Sequence, residues 1–328
     1  GNGIVGTMEG GSQTISSGGN GTVVTMNSGW QNIDYGGTGT VSTMSGGTQA
    51  IRSGIGTISS LLGGKQDING AGGTGTVSTM SGGTQYINYG GMGTISTMNG
   101  GTQYIDVLDK GTVSTMNSGT QIVNVGGTGT VSTMMSGGEQ TISSRGTGII
   151  STMVDGYQDI ESSGGTGIID VMISGEQLIS GGTGTVSTMS GGSQRISSGG
   201  TGTISTMSDG RQHIYSDGTG TIISMNSGYQ AISGGTGTID SMNDGNQWIL
   251  GSGTGTINVM QGGDQLVGNG TGTIITMSGG SQRVNGGGTG MVSTMINGNQ
   301  SVNINGTGTI DIMSGGMQSV VQKIGRAS

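Results

Sequence analysis

The sequence predicts an all-β chain wound as a parallel β-helix, a β-solenoid of about 18 residues per coil and eighteen coils. Three observations predict it. A G-x-Q triplet recurs eighteen times, from Gln13 to Gln318, at spacings of 17 to 19 residues, which suits one turn of a solenoid. Glycine supplies 79 of 328 residues while proline, cysteine and phenylalanine are absent, so bends are abundant and no disulfide scaffold or thiolate metal site exists. Ile, Val and Met return at fixed distances from each glutamine, which argues for order rather than a glycine-rich linker.

Counting from each glutamine as zero, position −2 is always Gly and +2 is always Ile or Val. Position −10 is Gly and −8 is Val or Ile in every repeat except that of Gln140, where an extra residue, Met134-Met135, makes Gly129 and Val131 slip by one. Position −5 is Met, apart from Leu61 in the repeat of Gln66. The consensus T-G-T-[VI]-S-T-M-x-x-G-x-Q-x-[IV]-x-x-G-G is seen whole from Thr183 to Gly200. It reads as two short strands per coil, from about −11 to −6 and from about −1 to +3, with glycine-bearing bends between them.

Side chains alternate along a strand, so −8 and −6 share one face of the first strand, and 0 and +2 share one face of the second. Asp170, Asp240 and Asp311 stand on the opposite face of the first strand, which places the −8 face in the core. Glycine at −10 is then expected where the opposing wall comes too close for a Cβ. Methionine at −5 breaks the alternation, which puts a bend between −6 and −5 and a stacked methionine column along one corner. A core glutamine needs a partner, and identical amides stacked coil on coil supply one. The expected ladder includes Gln85, Gln103, Gln121, Gln194 and Gln212. Because each coil rests only on its neighbours, the array is expected to be a single continuous domain over 1–319, with 320–328 as a C-terminal tail or edge cap.

The same columns restrict function. A net charge of −8 without a basic run lacks the footprint that nucleic-acid binding requires. No apolar run approaches the ~20 residues of a membrane helix, so no membrane insertion by this segment is expected, and Gly1-Asn2-Gly3 reads as the start of a mature or excised segment. The single histidine, His213, stands at the outward +1 position, acids do not repeat in any column, and aspartate does not recur in a calcium-solenoid register. The G-x-G patterns open no helix and carry no nucleotide signal. No enzyme activity, cofactor or metal is expected.

Two surface features remain. The first is a hydroxyl wall on the outward face of the first strand, including Thr40, Thr76, Thr183, Thr185, Ser187, Thr201, Thr203, Thr256 and Thr273. Such a wall can carry O-glycans, can order water as an ice-binding Thr-x-Thr face does, or can be simply a set of good solvent-facing strand residues. The second is a set of aromatics beside the glutamine column, expected to be exposed: Trp30, Tyr86, Tyr104, Tyr157, Tyr229 and Trp248. They can dock sugar rings or a neighbouring rod, or can stack on one another, as Tyr86 and Tyr104 one coil apart suggest.

The stretch Ser114 to Thr130, S-T-M-N-S-G-T-Q-I-V-N-V-G-G-T-G-T, resembles the strand-loop-strand repeats of AIDA-type autotransporter adhesins, with Met where that family usually has Val and a slightly shorter repeat. The resemblance runs through all eighteen copies. It implies a right-handed, non-catalytic passenger stalk, secreted and held at the cell surface through an outer-membrane translocator that is not in these 328 residues. It implies adhesion, autoaggregation or biofilm formation, and a glycan or a host or bacterial surface receptor as partner. Side-by-side self-association, and a glycosyltransferase adding heptoses to Ser/Thr, are implied as well. The alternative function, drawn from the Thr-x-Thr face, is ice binding.

Two irregularities are expected, at the repeat with Leu61 and Lys65 and at the repeat with the extra Met; in the second, Val131 and Ile142 must stay inside, since a one-residue slip turns a strand's core side chains to water. Lys323 and Arg326 are expected to blunt the C-terminal edge and leave the N-terminal one stickier.

Overall fold

Two Val/Ile columns, one methionine column and one glutamine column face inward because the strands that carry them pair with themselves one coil later. The computed structural model describes residues 1–161 and 164–321. It is a β-solenoid of about eighteen turns, with parallel strands stacked about 18 residues apart and no helix among the described residues. The chain divides into two units, Gly1–Ile169 and Asp170–Ser328. Lys323 and Arg326 lie outside the described residues.

In the first unit, strands such as Thr38–Met44 and Thr48–Ile51 alternate along the chain. Each pairs in register with its counterpart, as in Val23↔Val41, Met26↔Met44 and Gln31↔Gln49. Val41, Ile51, Met44 and Gln49 are fully buried. The second unit repeats the arrangement, with Thr201–Met207 and Arg211–Ile214 pairing as Ile204↔Ile222, Met207↔Met225 and Gln212↔Gln230. Burying each Val or Ile contributes roughly 1.5–3 kcal/mol, so the core gains depth with every added coil.

The inward turn of methionine differs from the expectation. The first strand runs on through Met at −5, and the −6 threonine is half-buried rather than a core residue. Pairing runs Val23↔Val41, then Thr25↔Thr43 and Met26↔Met44, omitting −7. The alternation therefore breaks between −7 and −6, one residue earlier than between −6 and −5. That break lets both −8 and −5 point inward from a single strand, and the thioether closes the corner.

Glycine is required at two places in each coil. A Cβ on Gly39, at −10, would lie 2.3 Å from Ile33 Cδ1 and 2.8 Å from Gln31 Oε1 across the interior, so the close approach of the walls is real. Gly29, at −2, has φ +90°, a left-handed turn whose outer side lies against the carbonyl of Gly11.

The extra residue near Gln140 forms a bulge, as expected. Met116 pairs Met134 and Ser118 pairs Gly137, with the register shift between them. It is Met134 that fills the methionine column, while Met135 is turned outward. Val131 and Ile142 remain fully buried. The repeat of Gln66, in contrast, carries no irregularity in its strands: Leu61 pairs Met44 and Met80, and Lys65 pairs Thr48 and Thr84, without a shift. Leucine occupies nearly the volume of methionine, so the column accepts it.

Deleting Met135 should therefore leave stability within ~1 kcal/mol of the parent. Deleting Ser114, inside the paired strand Lys110–Val123 of a coil that has no spare residue, should unfold the neighbouring coils, because Val113 and Met116 can then no longer both point inward. Thermal unfolding of the two deletion variants checks the contrast, and equal effects would contradict the bulge assignment.

Candidate functional site

Three groups of side chains stand out from the repeat: the core glutamines, the hydroxyl wall and the ring-bearing outward face of the second strand. In the first unit the glutamines form an unbroken head-to-tail series from Gln13 to Gln158. Each Nε2 donates to the Oε1 of the preceding glutamine at 2.6–2.8 Å. The second unit has its own series from Gln177 to Gln318, at 2.6–2.7 Å. Nε2 also donates to the carbonyl of the −10 glycine on the facing strand, as Gln85 does to Gly75 and Gln212 to Gly202, both at 3.3 Å. Gln103, Gln121 and Gln194 make the same two contacts. Both amide hydrogens are thus used and the two walls are tied together, which makes a buried polar column tolerable.

The hydroxyl wall lies outside, in register. Thr183 and Thr201 are exposed, Ser187 is exposed, and Thr40, Thr76, Thr185, Thr203, Thr256 and Thr273 are half-buried between neighbours one coil above and below. In the second unit the −11 and −9 positions are both threonine in six consecutive coils, from Thr183 and Thr185 to Thr271 and Thr273. In the first unit Asn2, Asn20, Ile55, Met92 and Lys110 interrupt the −11 column.

The aromatics differ from the expectation of exposure. Trp30 is 52% exposed, but Tyr86, Tyr104, Tyr157, Tyr229 and Trp248 are half-buried. The reason is the coil spacing of ~4.8 Å, at which large outward side chains on adjacent coils must pack on one another. Tyr86 and Tyr104 meet at 5.8 Å between ring centres, tilted by 46° rather than stacked. Lys65 Nζ lies 4.6 Å over the Tyr86 ring, and Tyr86 Oη donates to Asp106 at 3.0 Å. That bond to a carboxylate, with burial second, raises the Tyr86 pKa above the usual phenol range.

In the second unit Tyr229 and Trp248 stack at 4.9 Å and 23°. His213 meets Tyr229 edge-on at 5.5 Å, with Nε2 3.3 Å from Tyr229 Oη, and lies 6.2 Å from Tyr215. His213 is half-buried rather than a free surface group, and burial first, then Arg211 and Arg195, lowers its pKa. The clue in the sequence was an alanine, Ala231, in the +1 column between His213 and Trp248.

Sequence reasoning also missed Asp109, which occupies a corner glycine's place after Leu108, itself at φ +64°. The Asp109 side is 1% exposed; its Oδ1 accepts from the Gly90 and Gly91 N–H groups at 2.6 and 3.1 Å, and its Oδ2 has no partner. Burial pushes its pKa up, against the two N–H bonds, and the Asp106 charge adds to the rise. A raised folded-state pKa favours the protonated form. The stability it contributes is present below the unfolded value of about 3.9 and is lost as pH rises through the folded value. Asp109→Asn should thus raise the melting temperature at pH 7, with the gain vanishing toward pH 3; a gain independent of pH would contradict the assignment.

Among the described residues no group of three or more His, Cys, Asp or Glu is placed to hold a metal ion, and no helix is long and apolar enough to cross a membrane. Comparison with known protein families, with curated proteins and with solved structures finds no match. The fold itself defines the class: a repeat protein of the parallel β-solenoid type.

Proposed function

We propose that this chain is a stretch of non-catalytic stalk from a secreted, cell-surface adhesin of the AIDA-type autotransporter kind, acting in adhesion, autoaggregation or biofilm formation. The observation that supports this reading best is the in-register repetition of outward residues, such as Thr22↔Thr40 in the first unit and Thr185↔Thr203 in the second. A surface that repeats each coil suits many weak contacts made at once, where avidity grows with the number engaged. Its partners are then a glycan or surface receptor, or a second stalk lying alongside, and its Ser/Thr wall offers acceptors to a glycosyltransferase. Beads coated with the chain, and with variants shortened by two, four and six whole coils, test it. Adhesion to a bacterial lawn or between beads should fall with each shortening, and adhesion independent of coil number would contradict it.

A second reading, ice binding, is favoured by one observation: the unbroken Thr-x-Thr pairs from Thr183 to Thr273 form a regular array without a charged side chain in either column. Thermal hysteresis that disappears in Thr221→Tyr would establish it, and absence of hysteresis in the parent chain would remove it.

A further inference from the structure

The outward face of the second strands in the second unit is mostly closed upon itself, with one place left open. Its two carboxylates each face an arginine on a neighbouring coil. Arg195 Nε lies 2.8 Å from Glu176 Oε1, close though poorly aligned as a hydrogen bond, and Arg283 Nη2 lies 3.6 Å from Asp264 Oδ1. Arg211 lies between them in sequence, is exposed, and has no carboxylate within ion-pair distance among the described residues.

Beside it stands the ring cluster. Register puts Arg211 next to Tyr229 and Tyr229 next to Asn246 in the −1 column, while His213, Ala231 and Trp248 follow one another in the +1 column. Ala231 points outward, yet it is only 4% exposed. Flanking rings therefore roof over the alanine, and the cluster is a formed apolar surface spanning three coils, roughly 10 Å from first to last at the sheet spacing. It is rimmed on one side by an unneutralised guanidinium and on another by a carboxamide. Arg195 also lies beside His213 but faces Glu176, so Arg211 is the cation without a carboxylate partner at this rim.

We propose that this surface is a binding site for an acidic polysaccharide, one hexuronate ring at a time. The C–H-bearing side of a pyranose packs along the outer rim of the Trp248–Tyr229 stack, an apolar contact with rings that already turn a face to each other. The sugar carboxylate takes Arg211 in a two-point contact, for which the planar guanidinium is suited. Asn246 meets ring hydroxyls. This names the glycan partner class within the adhesin reading and rests on it.

Retardation in gels cast with polygalacturonate tests the site, because its methyl ester keeps the ring and removes the charge. The parent chain should be retarded by polygalacturonate and about tenfold less by the ester, as expected for loss of a charge-assisted contact. Arg211→Gln should lose a similar factor, Trp248→Ala most of the retardation, and Arg283→Gln little. Circular dichroism of each variant, all altered on the outward face, confirms the fold. Retardation equal in acid and ester, unchanged by Arg211→Gln or Trp248→Ala, or absent altogether, would overturn the site. If coil-number-dependent adhesion persists in a chain whose site fails this test, the stalk reading stands and the sugar site alone falls.

Discussion

Gln194→Leu is expected to be among the most destabilising single substitutions on the interior of the second unit. Gln194 donates to Gln177 Oε1 at 2.7 Å and accepts from Gln212 Nε2 at 2.7 Å. Leucine fills similar space but strands one acceptor and one donor in a site from which water is excluded. Each stranded group costs about 1–3 kcal/mol, so the pair costs on the order of 2–6 kcal/mol. Thr185→Ser, on the half-buried outer wall, should stay within about 0.5 kcal/mol. Urea unfolding of both variants reads the difference, and equal midpoints would mean that the glutamines contribute no buried ladder.

Gly202→Ala should produce the second large loss, by crowding rather than by removing a partner. The new Cβ would lie 2.4 Å from Ile196 Cδ1 and 2.6 Å from Gln194 Oε1. The isoleucine tip can move only within a packed interior, and the glutamine oxygen is held by the ladder. Overpacking of this kind costs about 1–3 kcal/mol and sometimes more. An alanine at Gly199, whose Cβ would meet nothing within 4 Å but whose φ is +79°, should cost less, through backbone strain alone. If Gly202→Ala is as well tolerated as Gly199→Ala, the two walls do not approach as closely as described.

Most of the fold was legible in the sequence because the constraint repeats. Gly at −10, Val/Ile at −8 and Gln at zero each recur often enough that face and partner follow from position alone. The local chain geometry was less legible. Strict alternation put Thr25 and its counterparts in the core, whereas a break between −7 and −6 leaves them half-buried, and period-two reasoning has no term for such a corner. Leu61 looked like a defect by identity but fits by volume. The outward rings were found by residue type and misjudged by exposure, because Ala231 in the intervening coil lets Trp248 and Tyr229 close over it. Asp109 was missed altogether: a lone acid in a glycine column is invisible until the Gly90 and Gly91 N–H groups are seen pointing at it.

The central claim is that a column of glutamine amides forms the polar half of the core, and side-chain amide hydrogen exchange measured by NMR addresses it most directly. Gln261, exposed and outside the G-x-Q column, is the internal reference. The ladder is expected to show Nε2 protons of Gln85, Gln121, Gln212 and Gln247 exchanging orders of magnitude more slowly than those of Gln261, since release requires opening of a paired coil. Exchange of the column at the rate of Gln261 would contradict the account.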